Sequence, residues 1–411
     1  MFFIYRILLY LIILISPIIL IFRIFNKKED IKRFKEKFCF FSKYRKKGNL
    51  IWFHGASVGE LLSIIPIIEK LEKNKNFKKI LITSNTVSSS KVIKKFKFRK
   101  VTHQFYPIDT DFFCKKFLSH WKPSLAFFID SEIWPNMIKN LDEKKIPITL
   151  LNARITKKTF NRWRMLSFFS KQIFSKINLC LASSKESKNY LINLGAKKVK
   201  FIGNLKFSQS ENNIIPLEDK LKKFFKSKKI WCASSTHYPE EQFCGKIHKK
   251  LKIKYKNLLT IIIPRHIDRV SKIKKDLENL NLKVHLHAPH KMISKNTDIY
   301  LVNEFGKTKS FYNSCDNVFL GGSLVSHGGQ NPLEATRYRC NILHGPNIQN
   351  FNEIYKLLKN LKLSSEIKNE NSMTIMLEKL FMKKKSSKIK IKKLELIGKR
   401  ILNKTYKEII S

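Results

Sequence analysis

Residues 51–73 read IWFHGASVGELLSIIPIIEKLEK, and the pattern changes twice along them. Ile51, Trp52 and Phe53 form a short unbroken apolar run, of the kind that fills a strand buried on both faces. HGASVGE, from His54 to Glu60, is a polar turn in which Gly55 and Gly59 let the backbone come close to a ligand. Beyond it the apolar residues Leu61, Ile64, Ile65, Ile68 and Leu71 fall in the register of an amphipathic helix. Strand, polar loop and helix together make one repeat of an α/β fold built on a parallel sheet.

Working outward, similar short apolar runs at 50–53, 80–83, 125–129, 148–151, 179–182 and 200–202 alternate with amphipathic stretches. Polar or charged residues follow most of them. In open parallel sheets ligands bind beyond the carboxyl ends of the strands, so these residues are the candidates for a site. A polar stretch from Ser208 to Asp219 interrupts the series, which resumes at 230–233, 259–263, 283–286, 299–302 and 318–320. At 411 residues the chain exceeds the usual size of a single core, and its 43% hydrophobic content is enough for two. The expectation is an α/β protein of GT-B-like architecture, two doubly wound Rossmann-like domains facing across a cleft, with an N-terminal membrane anchor helix. Its parts would be the anchor at 1–26, one Rossmann-like domain at 27–210, a second at 211–375 and a helical segment at 376–411.

The anchor is the charge-free run ILLYLIILISPIILIF, from Ile7 to Phe22, with Arg6 and Arg23 placed to snorkel to headgroups. Its length and Pro17 leave a spanning helix and a one-leaflet anchor both open. Lys27, Lys28, Lys32, Arg33, Lys35 and Lys37 follow, an excess that places this side, and the body of the protein, in the cytoplasm. The formal charge of +51 favours anionic lipids, phosphorylated acceptors and nucleotides. The lysines are spread along the chain and no recognition helix, zinc finger or aromatic single-strand motif gathers them, so nucleic acid is not the expected partner. The seven cysteines lie far apart with no Cys-x-x-Cys pair, and read as reduced core thiols. His285, His287 and His290 lack an evident fourth ligand, so packing or solvation is favoured there over metal binding.

Three sets of residues bear chemistry. Glu60 has capping-box spacing from Ser57, yet it also offers the carboxylate that would take a proton from an attacking hydroxyl. Glu132, in DSEIWPN, stands at the mouth of the strand 125–129, with Lys206 of FIGNLKF as its expected partner. In the second half Arg265 of PRH can bond a nucleotide phosphate. The stretch VFLGGSLVSHGGQNPLEA, from Val318 to Ala335, adds Gly321, Gly322, Gly328 and Gly329, whose backbone is free for close approach. There Asn331 as N-cap and Pro332 as first residue launch a helix whose start would bind an anion. Glu334 either caps Asn331 or accepts from ribose hydroxyls. Neither a P-loop nor a dinucleotide fingerprint is present, which disfavours kinases and dehydrogenases.

HGASVGE, TSNT, DSEIWPN, LNAR, GNLKF, SSTH, PRH, GGSLV, GGQNPLE and GPNIQNF, in this order, resemble the 3-deoxy-D-manno-octulosonic acid (Kdo) transferases over most of the body. The resemblance implies inverting transfer of Kdo from CMP-Kdo, the donor substrate, to a tetraacylated lipid A precursor at the cytoplasmic face of the inner membrane. No metal or cofactor is implied. Glu60 would be the general base, and Glu132 and Lys206 would stabilise the transition state. Pro264, Arg265, Phe305, Gly306, Lys307, Asn331, Pro332, Leu333 and Glu334 would contact CMP. The sequence departs from the family where Lys307 stands for a glutamate, Gln330 for a histidine, Pro239 for a glycine, and Asp130 and Ser131 for glutamate and threonine. Two other readings remain: a GT-B transferase using a UDP-sugar on another lipid, and a non-catalytic cationic scaffold for membrane or RNA.

Overall fold

The computed structural model describes residues 2–26, 28–45, 47–209, 216–288, 291–304, 306–383 and 388–410. The chain divides into two units, Met1–Ser210 with Leu396–Ser411, and Glu211–Glu395. The helix Lys388–Ile410 therefore contributes to both, rather than ending a separate segment that starts at 376. Part of the expected linker at Ser208–Asp219, and Lys27, lie outside the described residues.

Unit 1 is built on seven strands: β1 Leu50–His54, β2 Lys79–Ser84, β3 Val101–Phe105, β4 Leu125–Ile129, β5 Ile148–Ala153, β6 Leu179–Ala182 and β7 Val199–Phe201. All pair in parallel in the order β3-β2-β1-β4-β5-β6-β7. Side chains alternate across a strand, so Leu50 and Trp52 enter the core on one face while Ile51 and Phe53 enter the core on the other. Helices cover both faces, which is why β1 reads as one apolar run. Unit 2 repeats the plan with β8 Lys229–Thr236, β9 Leu258–Pro264, β10 Val284–Leu286, β11 Ile299–Leu301, β12 Asn317–Leu320, β13 Asn341–His344 and β14 Ser364–Glu366. Their order is β10-β11-β9-β8-β12-β13-β14, again all parallel. The fold is α/β and GT-B-like.

In each unit the strand order reverses once, between β1 and β4 and between β8 and β12. At such a switch point the loops leave in opposite directions and open a crevice. β3, β13 and β14 carry no strong sequence signal. β3 (VTHQF) is a half-buried edge, β13 is four residues long, and β14 is the polar triplet SSE.

The N-terminal helix α1, Phe2–Phe25, is longer than the charge-free run and contains Pro17. With 24 residues and an 18-residue window of mean hydropathy 2.8, it is long and apolar enough to cross a membrane by length and composition. Its arginines do not hang free as snorkelling anchors. Arg6 pairs with Asp111 at 2.6 Å, and Arg23 with Glu29 at 2.6 Å. All seven cysteines are buried thiols outside any disulfide.

Candidate functional site

In unit 1 the switch point is lined by the loop after β1 and the loop after β4. Ser57 caps the helix α2, Val58–Lys73, and the full capping box forms: the Glu60 amide donates to Ser57 Oγ at 3.3 Å, while the Glu60 side chain reaches back. Glu60 Oε2 accepts from the Ala56 amide at 2.7 Å, and Oε1 from Ser57 Oγ at 2.8 Å. Capping does not exclude acid–base work here. Those bonds favour the carboxylate, yet burial, followed by the charges of Glu132 and then Asp130, outweighs them and raises the Glu60 pKa to about 7. A Cβ at Gly59 would meet nothing within 4 Å, so space is open beside Glu60. Gly55 serves differently: a Cβ there would lie 3.0 Å from Ile129, so its smallness is used by the protein's own packing.

Glu132 is held by two donors that sequence reasoning did not single out. Its Oε2 accepts from Trp134 Nε1 at 2.8 Å and lies 3.2 Å from His54 Nε2. His54 is fully buried, stacked on Tyr106, with Nδ1 3.0 Å from Thr83 Oγ1. A carboxylate only accepts, so the proton belongs on His54 Nε2. Lys206 makes an ion pair with Asp130, the residue two before Glu132, at 3.3 Å. Asp130, at positive φ of 57°, also accepts from the Asn152 amide side chain, and Asn152 Oδ1 accepts from the Leu205 amide at 2.8 Å. The ends of β4 and β5 and the turn bearing Lys206 are thus wired together. Glu60, Asp130 and Glu132 form an acidic group with one lysine at its edge.

In unit 2 the switch point holds His237 after β8, Pro264–His266 at the end of β9, and the glycine-rich loop after β12. His237 stacks on His327, with ring centroids 4.2 Å apart, and meets His266 edge-on at 5.7 Å. Burial first, then these two histidines and Arg265, lowers its pKa to about 4. Arg265 is exposed, with its amide tied to the Thr236 carbonyl at 3.0 Å. Three amides of the glycine-rich loop already have an acceptor within the protein. The buried Glu240 carboxylate accepts from the amides of Gly322 (2.7 Å), Ser323 (3.1 Å), Leu324 (3.0 Å) and His237 (2.9 Å). Gly321 is needed because a Cβ would sit 2.5 Å from Thr236 Cα, and Gly328 because one would strike Asn350.

The helix after this loop also differs from expectation. It runs only Leu333–Arg337, and the Asn331 side chain caps the Leu333 amide at 3.2 Å. Five residues carry too little aligned dipole to make an anion site. Glu334 is half-buried in its first turn and does not cap Asn331; Pro332 and Leu333 are buried. Gln330 reaches the loop, its side chain 3.3 Å from where a Cβ on Gly322 would be. Phe305 lies outside the described residues. Gly306 has an open Cβ direction, and Lys307 is tied to Glu304 at 2.7 Å and His287 at 3.3 Å. His285 and His287 pack against Tyr300, and His290 lies outside the described residues.

Comparison with known proteins decides the family. A family model described as 3-Deoxy-D-manno-octulosonic-acid transferase (kdotransferase) matches residues 32–209. The 3-deoxy-D-manno-octulosonic acid transferase of Rickettsia bellii is 32% identical over 94% of this chain and 92% of its own length. The chain belongs to the Kdo transferase family. It is a glycosyltransferase. Other Kdo transferase relatives include that of Haemophilus influenzae, 30% identical over 75% of this chain and 73% of its own. A probable mitochondrial Kdo transferase of Arabidopsis thaliana is 32% identical over 80% and 76%. Among solved structures, a UDP-GlcNAc 2-epimerase from Neisseria meningitidis covers 88% of this chain and 98% of that chain, with TM-score 0.59 and 14% identity. A putative one from Listeria monocytogenes covers 88% and 97%, with TM-score 0.60 and 10% identity. At such identities the likeness concerns the fold alone. In this Kdo transferase the missed site residues are His54, Asn152, His237, Glu240 and His327. His54 and His237 sit at strand ends and could have been found there; Glu240 could not, because three of its four amide partners lie more than 80 residues away.

Proposed function

We propose that the chain transfers Kdo from CMP-Kdo to a hydroxyl of a tetraacylated lipid A precursor, with inversion at the anomeric carbon, at the cytoplasmic face of the inner membrane. The observation that supports this reading best is the Glu60 carboxyl, which titrates at about 7 beside two further carboxylates at a switch point. A general base works best when its pKa lies near the working pH.

As the acceptor hydroxyl attacks, its oxygen bonds to the anomeric carbon and its proton passes to Glu60. The bond from that carbon to the phosphate oxygen breaks, and its electron pair leaves with CMP. Glu132, fixed by His54 and Trp134, offers negative charge to the cationic sugar ring that develops. Lys206, steadied by Asp130, faces the sugar's carboxylate. Arg265, with His266 beside it, takes the charge that builds on the departing phosphate. Pro264, Phe305, Gly306, Lys307 and Asn331 to Glu334 would shape the rest of the CMP pocket. Lys307 is engaged with Glu304 and would have to turn to contribute.

The purified full chain is incubated with CMP-Kdo and the lipid A precursor, and the lipid product is weighed. A mass gain of one or more Kdo units, abolished in Glu60→Gln, supports the reading. Transfer from a UDP-sugar in a donor competition, or full turnover by Glu60→Gln, would overturn it.

A further inference from the structure

At 24 residues and about 1.5 Å per residue, α1 is about 36 Å long, enough to cross a hydrocarbon core of about 30 Å. Length does not decide its disposition; its two ends do. A helix that crosses a bilayer delivers its ends to opposite sides, and a folded unit can hold only one of them.

Here unit 1 holds both. At the start, the Phe2 ring meets Phe169 edge-on at 5.0 Å, and Tyr5 Oη donates to Asp109 at 2.8 Å. Arg6 bonds Asp111 and, at 3.2 Å, Asn136. Asp109 is buried and also accepts from the Asn136 and Met137 amides, so Tyr5 completes a carboxylate that caps the helix Pro135–Glu143. At the far end, Arg23 bonds the buried Glu29, which Lys37 grips at 2.7 and 2.8 Å. Lys37 in turn lies over the Phe105 ring, and its carbonyl accepts from the Ile108 amide at 3.0 Å. Both ends are therefore tied to the segment that leaves β3.

Between them, Leu9, Ile13 and Leu20 are half-buried and Ser16 is buried, at three- and four-residue spacing that makes one continuous, less exposed stripe. The opposite side is bare: Phe3 is 75% exposed, Leu14 75%, Ile18 70%, Phe22 70% and Phe25 81%. Just past its end, Lys28, Lys32 and Lys35 are exposed, the pairing of apolar face and cationic flank that suits an anionic lipid surface.

We propose that α1 does not cross the membrane. It lies flat on unit 1 and sinks its bare side into one leaflet of an anionic phospholipid bilayer. Asn136, which holds its first turn, lies in the first turn of the helix that the Glu132 loop enters, so this float sets the catalytic carboxylates at the level of the lipid surface. That last consequence rests on the proposed function; the orientation of α1 does not.

Two measurements on the full chain test it. A protease-cleavable epitope added ahead of residue 1 is to be cut in inside-out vesicles and protected in spheroplasts, on the same side as the body. Cleavage from the opposite side would overturn the proposal. Separately, Phe3→Cys, Leu14→Cys and Phe25→Cys are each spin-labelled, with the native thiols sealed in the core, and placed in vesicles of phosphatidylethanolamine and phosphatidylglycerol. The three labels are expected at one depth, about 5–10 Å below the headgroups. A label at Leu14 at the bilayer centre with the other two at opposite interfaces, or a chain that stays off the vesicles, would refute it. Neither readout needs transfer activity, so failure of the catalytic reading remains distinguishable.

Discussion

Replacing Glu132 by Gln removes one negative charge from beside Glu60 while keeping an oxygen for Trp134 and His54 to bond. Glu60 titrates at about 7 because of burial first, then Glu132, then Asp130. Two unit charges about 6 Å apart at an effective dielectric near 20 interact by about 3 kcal/mol. At about 1.4 kcal/mol per pH unit, that bounds the change at about two units, and solvent reaching this half-open site reduces it toward one. The acid limb of kcat/KM against pH, followed by release of CMP with donor in excess, should therefore move from about 7 to between about 5 and 6. It should not fall to the ordinary carboxyl value of 4.5, because burial remains. The height of the profile also drops if Glu132 supports the transition state, but the midpoint is independent of that loss. A midpoint that stays at about 7 in Glu132→Gln would refute the electrostatic link between the two carboxylates, and with it the assignment of the limb to Glu60.

Glu60→Gln itself should cut turnover by about 10²–10⁴-fold with donor affinity little changed. It should also stabilise the fold at alkaline pH. The folded chain keeps its Glu60 proton up to about 7 whereas an unfolded chain loses it near 4.5, so wild type loses stability between those values as pH rises. The variant's advantage in a thermal melt should be absent below pH 4.5 and complete above 7, at no more than about 3 kcal/mol. Arg265→Ala should weaken CMP binding about 10–100-fold by calorimetry, the loss of about 1.5–3 kcal/mol for a bond to a charged group, without shifting the acid limb. Glu240→Ala strands four amides, three of them buried at about 1–3 kcal/mol each, so urea unfolding should report a loss of several kcal/mol. Gly398→Ala puts a Cβ into the Phe207 carbonyl beside Lys206; both melting temperature and turnover should fall, the former by about 1–3 kcal/mol equivalent.

What could be read from sequence was whatever has a local cause. β1 announces itself because both its faces are buried, and α2 because Ser57 and Glu60 close their box within one turn. The strands missed are those whose pairing comes entirely from a neighbour: Ser364 and Ser365 have no apolar pattern, and lie in the sheet only because β13 offers a free edge. The site divides in the same way. Glu60 and Glu132 follow strands directly and stood out, whereas the pairing of Lys206 with Asp130 depends on two residues 76 positions apart. The helix at Asn331 was anticipated by its cap, but nothing local shows that it stops at Arg337.

The Glu240 carboxyl gives unit 2 a particular economy. Amides 322–324 have their acceptor before any donor arrives, so docking freezes no wandering backbone and the conformational entropy of that loop was lost when the chain folded. On the proposed function, an incoming phosphate would find those main-chain donors engaged and would turn to the Arg265 guanidinium and the imidazole edges instead. Such a pocket would reward a nucleotide with a single phosphodiester over one with a longer polyanionic tail.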